Sequence, residues 1–429
     1  MMRDRRGMVR GILGATGVAW VTMVSLILVM ANEVAIPLDF VVRPAIVILL
    51  PAVIVGIACG PFGAAGRLAA IVAGPIVIIP ELLPLAVGLA GIEAAIWLIQ
   101  RRGSNPRLRV GQFALFTMLV LLGLSLVRLA PSATDYVGSA SGPPDAPGPP
   151  VYLLLLDGYP RADELAKLGI DNGAFTGELE ARGFDHYPDA TSVHQWTHRT
   201  LQAMIAGSAD GIPDEAGSNA EEQAVRAALQ LPSGFVVIDP PASHVVMRGG
   251  RQLTAGGMND FEVRLLGTSL VGAVARDWAA TIVADSLREH FEGSLRLMVS
   301  SDSTRTFAHV LAPHPPFLYA GGVADCWPGC NIFDVTASNL GMSVEEWAAR
   351  MSDQLGAVNS RVVAAIDLIL EREPGAVIVL FSDHGGRYDV DLAEVHHTFL
   401  AARTPGKPRL FDAEPHPHAL LRLTLEAYP

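Results

Sequence analysis

Lysine is almost absent. Lys167 and Lys407 are the only two, so nearly all of the 31 basic side chains are arginine, a bias that suits a GC-rich bacterium. Charge of any kind is sparse at 17%, while 50% of the residues are hydrophobic and the mean hydropathy is +0.36. A fully soluble enzyme of 429 residues rarely averages so high, and the length exceeds one ordinary domain. Cysteine is scarce as well. Cys59 sits in an apolar run and reads as packing. Cys326 and Cys330, in the segment CWPGC, are expected to form a small disulfide if they lie outside the cytosol.

The sparse charge is unevenly placed. Residues 1–130 hold eleven arginines against five acids, a net of +6, and the whole chain carries −12, which leaves −18 for the remainder. A basic apolar half and an acidic half are two different objects. The acidic half argues against nucleic acid as a partner, because phosphate backbones attract basic surfaces. It does not exclude an anionic substrate where a metal supplies local positive charge.

Apolar runs cover 11–32, 45–60, 65–80, 82–100 and 110–130. A helical span needs about 20 residues. The stretch 68–100 is too long for one span and is broken by Pro80, Glu81 and Pro84, so it reads as a hairpin turning at Glu81 or as one tilted helix with a re-entrant piece. Charge parity favours the hairpin. Arg3, Arg5, Arg6 and Arg10 precede the first run, and Arg101, Arg102, Arg107 and Arg109 precede the last. Both clusters should be cytoplasmic, so four spans separate them and a fifth carries the chain out. The expectation is a multi-pass anchor in the plasma membrane with everything after about residue 130 extracytoplasmic. Glu93 lies in the fourth span and reads either as near enough to its cytoplasmic end to reach water or as a contact to a lipid-linked substrate or a neighbouring helix. Residues 131–150 are a Pro/Gly/Ser linker. No internal repeat is evident.

From 151 to 429 short apolar runs alternate with helical stretches. Val151–Leu156, Phe235–Asp239, Phe307–Leu311 and Ala376–Phe381 read as buried strands, with His397–Ala402 a weaker candidate. Helical patterns cover 162–182, 197–207, 218–230, 273–290 and 344–371. Strands alternating with helices predict an α/β domain with a mostly parallel sheet covered on both faces. Ligands in such sheets bind beyond the carboxyl ends of the strands.

Those ends carry chemistry. Asp157-Gly158 follows the first strand, Asp383-His384-Gly385-Gly386 follows the 376–381 strand, and His314 follows the 307–311 strand. Carboxylate and imidazole suit Zn, Mn, Mg or Ca. An Asp-Gly alone is usually only a turn; the Asp-His pair before two glycines is more specific. A fourth element, Thr191 to Thr200, joins a loop to a helix beginning near Thr197. A threonine there is an ordinary N-cap. The same place, at the positive end of a helix, also suits a hydroxyl that must lose its proton. Spacing alone does not choose Thr197 over Thr200.

The segments VYLLLLDGYPRADEL, IDNGAFTGELEARGF, SVHQWTHRTL, FAHVLAPHPPF and VIVLFSDHGGR, in this order over about 151–405, resemble the successive motifs of the alkaline phosphatase–sulfatase superfamily. The match is with its membrane-bound branch, which includes lipoteichoic acid synthases and phosphoethanolamine transferases. The resemblance implies an αβα sandwich behind a helical anchor and a site holding one divalent ion, Zn or Mn before Mg or Ca. It implies metal ligation by Asp157, Thr197, Asp383 and His384, with Thr197 as the nucleophile. His314 and His396 would act on the phosphoryl oxygens or the leaving group. His309 would lie near the substrate, and His397 competes with its neighbour His396 for a place there. The implied activity is transfer or hydrolysis of a phospho-group on an envelope lipid or glycan. A phosphatase, a phosphodiesterase, a sulfatase-like hydrolase and an inactive metal-binding envelope scaffold are the alternatives. The chain lacks the early Cys-x-Pro-x-Arg of formylglycine sulfatases, since Cys326-Trp-Pro-Gly-Cys330 has no arginine and lies elsewhere, so phosphate is favoured over sulfate. His416 and His418 are expected on the surface. Oligomeric state is not legible.

Overall fold

A computed structural model of the chain describes residues 148–213, 229–239, 245, 247–267, 270–327, 337, 341–386 and 394–429. The chain divides into two units, one of Met1–Val137 with Phe261–Ala279 and one of Gly138–Asp260 with Ala280–Pro429. The strands are β1 (Val151–Leu156), β2 (Asp185–His186), β3 (Phe235–Ile238), β4 (Arg251–Leu253), β5 (Arg305–Val310), β6 (Val377–Phe381) and β7 (Leu400–Arg403). The helices are α1 (Ala162–Lys167), α2 (Gly173–Glu180), α3 (Thr197–Ala206), α4 (Asp260–Gly267), α5 (Leu270–Val274), α6 (Arg276–Ser300), α7 (Gly322–Cys326), α8 (Val344–Arg372) and α9 (Pro417–Ala427).

All seven strands form one sheet in the order β2-β7-β6-β1-β5-β3-β4. β6, β1, β5, β3 and β4 run parallel, while β7 is antiparallel to β6 and β2 antiparallel to β7. The centre is β1, whose six apolar residues are all buried. A strand covered on both faces has no need of polar alternation, which is why it reads as a continuous apolar run. On one face Leu153, Leu155, Phe307, Val237 and Val379 join Leu201 and Met204 of α3 and Leu420 and Leu421 of α9. On the other face Tyr152 meets the end of α8, where Arg372 donates to its hydroxyl at 2.8 Å. α8 buries Trp347, Met351, Leu355, Val358, Val362, Ile366 and Ile369, a stripe at three- and four-residue spacing. Its start is fixed by a capping box, with Ser343 accepting from the Glu346 amide and Glu346 from the Ser343 amide.

Several expectations are corrected. The helix read over 162–182 is two helices. α1 ends at Lys167, Gly169 takes a left-handed φ of 71°, and Asp171 accepts from the Gly173 amide to open α2. The helix read over 273–290 is α6 and runs to Ser300, because Phe291, Leu295 and Met298 extend its buried stripe. The last strand begins at Leu400, not His397, since Glu394–His396 is a 3-10 turn and His397 and Thr398 form only isolated bridges. Two short edge strands, β2 and β4, escaped the pattern, being two and three residues long. The Pro/His-rich tail forms α9, begun by Pro417 in the first turn, where a missing N–H costs nothing.

Among the described residues no helix is long and apolar enough to cross a membrane. The five expected spans, Glu93, Cys59 and most of the linker fall outside the described residues, as do Cys330, and so the Cys326–Cys330 pairing, and the 218–228 part of one expected helix.

Candidate active site

The carboxyl ends of β1, β3, β5 and β6 bring Asp157, Asp239, His309, His314, Asp383 and His384 to one edge of the sheet. Asp157 extends β1, its amide donating to the Val310 carbonyl at 3.0 Å. Its own carbonyl accepts from the His314 amide at 3.0 Å, which sets that loop against β1. Gly158 turns the chain with φ 65° and passes so close that a Cβ there would stand 3.0 Å from the His314 ring and 3.4 Å from the His384 ring. Only glycine offers both that conformation and that clearance. The Gly158 amide donates to Asp383 Oδ1 at 3.2 Å, and the Tyr159 amide donates to Ser382 Oγ at 2.8 Å, so β1 and β6 deliver their terminal carboxylates together.

Asp157, His314 and His384 each present a ligand atom within 4.8 Å of the others. His384 Nε2 lies 3.4 Å from Asp157 Oδ1 and 3.6 Å from Asp383 Oδ2. Both imidazoles are set by a carbonyl. His384 Nδ1 donates to the Gly385 carbonyl at 2.8 Å, and His314 Nδ1 donates to the Pro315 carbonyl at 2.5 Å. A carbonyl can only accept, so in the neutral rings Nδ1 holds the proton and Nε2 carries the lone pair. That is the tautomer a cation binds, and a carbonyl behind the ring is the support metal-ligating histidines ordinarily have. Two imidazoles and a carboxylate, with Asp383 adjacent, fit a borderline divalent ion such as zinc.

Without a cation, protonated rings take its place: burial works against ionising Asp157, but its hydrogen bonds to His309 and His384, with the charges of His314 and His309, outweigh it and hold the carboxyl well below the usual carboxylate range. His309 Nε2 is 3.0 Å from Asp157 Oδ2. Burial depresses His309, yet Asp157, Asp239 and Asp383 together lift it above the ordinary imidazole value.

The Thr191–Thr200 element docks onto this edge through Thr200. Its buried hydroxyl donates to the Asp383 carbonyl at 3.0 Å and lies 3.1 Å from Ser192 Oγ. Thr200 is thereby committed to holding α3. Thr197, one turn earlier on the same helical face, is the first residue of α3, and the N-cap position is Trp196, with no capping side chain. The N-cap reading of Thr197 is thus corrected by one residue. Among the described residues no hydrogen bond uses its hydroxyl, and the residue is only half-buried.

The other histidines separate. His396 Nδ1 donates to the Ser192 carbonyl at 2.9 Å, which ties it to the threonine element. His397 is turned to the buried Glu164, which also takes Lys167 at 2.7 Å. His416 and His418 are half-buried rather than on the open surface. They stack at 5.3 Å, and His416 reaches the Thr191 carbonyl at 2.9 Å. Sequence reasoning passed over Asp239, although it ends β3 as Asp157 ends β1. Buried beside His309, it is pushed up to about 7 by burial, against the opposing charge of His309. The strand-end rule alone would have found it.

Gly385 is held by a second steric limit, since a Cβ there would run into the carbonyl oxygens of Glu394 and His397. Gly385→Ala should destabilise the domain by about 1–3 kcal/mol by overpacking. The drop will be read as a lower denaturant midpoint at unchanged m-value.

No family model matches the chain, and no curated protein matches it. Solved structures do. The C-terminal periplasmic domain of phosphoethanolamine transferase EptC from Campylobacter jejuni is 12% identical over 66% of this chain and 90% of that one, with a TM-score of 0.38. The zinc complex of the periplasmic domain of EptC from Escherichia coli is 13% identical over 64% and 81%, at 0.36. The integral membrane lipooligosaccharide phosphoethanolamine transferase EptA from Neisseria meningitidis is 14% identical over 91% of this chain and 73% of that one, at 0.32.

Proposed function

We propose that the chain is a membrane-anchored, metal-dependent enzyme that moves a phospho-group from an envelope lipid or glycan ester through Thr197. The observation that carries the proposal is the pair of carbonyl-set imidazoles, His314 and His384, presenting unprotonated Nε2 atoms beside Asp157. With Asp383 they would hold one divalent ion, zinc or manganese by donor type. When bound, that ion supplies positive charge that lowers the pKa of a nearby hydroxyl and offsets charge on phosphoryl oxygens.

The protein's own groups do the rest. The first residue of α3 places the Thr197 hydroxyl at the positive end of a ten-residue helix, where a developing oxyanion is favoured. Thr197 Oγ forms a bond to phosphorus as the ester oxygen leaves, giving a phosphothreonine. Its proton passes to solvent, and protonated His396 delivers one to the leaving oxygen from Nε2. An acceptor hydroxyl then attacks the phosphothreonine, its proton passing to His396 Nε2 as the phosphorus–Thr197 oxygen bond breaks, and the freed Thr197 oxygen takes a proton from solvent. Water as acceptor makes the same site a phosphatase. An anchor raises the local concentration of a lipid-borne substrate, which favours transfer to an envelope acceptor.

The test uses the purified full chain with aryl phosphate mono- and diesters, with and without a glycan or lipid alcohol. Turnover accompanied by a phosphorylated acceptor is expected. Release of inorganic phosphate alone restricts the reading to hydrolysis, and absence of turnover in metal-loaded protein overturns it in favour of a scaffold.

A further inference from the structure

The segment Phe261–Ala279 groups with Met1–Val137 and not with the sheet unit. It interrupts the α/β alternation between β4 and α6 with two short helices. Five large hydrophobic residues are exposed among those described: Val193, Val274, Trp278, Val344 and Leu368. Three are scattered singly, which soluble surfaces tolerate. Val274 and Trp278 are not scattered. They lie four residues apart across the junction of α5 and α6, exposed by 78% and 54%. The Ala279 amide donates to the Ala275 carbonyl at 2.9 Å, so helical geometry continues through the junction and both side chains share a face. The inward side of α6 is already satisfied, with Ala279, Ala280 and Val283 buried. Arg276 is exposed on the opposite side of the helix, two residues from each.

We infer that the α5–α6 junction is an interfacial contact, with Trp278 and Val274 seated in the headgroup layer of the bilayer. The inference rests on the membrane-anchored reading above. A bilayer is the occupant because the same unit contains the apolar runs expected to span it. Tryptophan, with an apolar body and one N–H, is the residue most suited to that depth.

The experiment reads Trp278 in the full chain reconstituted into phosphatidylglycerol-containing liposomes and washed with carbonate. The emission lost in Trp278→Phe isolates this residue from the other five tryptophans. That component should be quenched by brominated phospholipid and protected several-fold from iodide. Val274→Asp should reverse the protection, and turnover of a soluble aryl ester should survive both substitutions. Release of the chain by carbonate overturns the anchored reading and this inference together. A retained chain whose Trp278 is quenched by iodide alone overturns this inference only. So does a retained chain in which neither quencher reaches Trp278, which would mean a protein partner covers it.

Discussion

Thr197→Ala should lower turnover of phosphate esters by about 10³-fold or more while leaving the domain folded, as removal of a covalent nucleophile does in other hydrolases. The neighbouring threonine makes the sharper comparison. Thr200 is buried, donates to the Asp383 carbonyl and lies against Ser192, so Thr200→Val takes away an interaction that holds α3 to β6. Its expected signature is a stability loss of about 1–3 kcal/mol with a smaller loss of rate. Thr197 has no such role among the described residues, so Thr197→Ala should barely move the denaturant midpoint. Intact-mass analysis of substrate-treated protein supplies a second readout, a phosphoryl adduct that maps to Thr197 and disappears in Thr197→Ala. Unchanged turnover in Thr197→Ala rules the nucleophile out. A rate loss shared equally by both variants would assign Thr197 to structure.

The contrast between these two threonines marks where the sequence stops being sufficient. Composition and strand-end spacing foretold that Asp157, His314, Asp383 and His384 would meet, because parallel strands that share a sheet share a carboxyl edge. The central strands were equally legible, since burial on both faces writes itself as an unbroken apolar run. Thr197 and Thr200 sit on one helical face, and periodicity treats them alike. Only the tertiary hydrogen bond from Thr200 to Asp383 separates them. His396 and His397 pose the same problem at adjacent positions. There the 3-10 turn ending at His396 decides, sending His396 to Ser192 and His397 to Glu164. Short edge strands such as β2 carry too few residues for a period. α9 was hidden by the proline and histidines at its start, although proline is at home in a first helical turn.

Removing the divalent ion proposed for this site should produce the largest combined effect on activity and stability. Chelation exhaustive enough to leave no zinc or manganese by elemental analysis is expected to abolish turnover. It should also lower the melting temperature. A cation bound at a thousand times its dissociation constant stabilises the folded state by about 4 kcal/mol. At about 2–4 °C per kcal/mol for a domain of this size, the shift is roughly 10 °C. The physical origin is local. Asp157 and Asp383 end on neighbouring strands, both buried, and without a cation their repulsion is met only in part by the imidazole of His309, 3.0 Å from Asp157 Oδ2. His384→Ala should reproduce both losses and make the melt insensitive to chelator. Thr197→Ala should keep most of the chelator-sensitive melting shift despite lacking activity, because Asp157, His314, Asp383 and His384 remain. That pattern separates the ion's hold on the fold from the hydroxyl's part in the reaction. A metal-free protein that turns over at the original rate and melts at the original temperature would refute the metal centre, whatever the fate of Thr197.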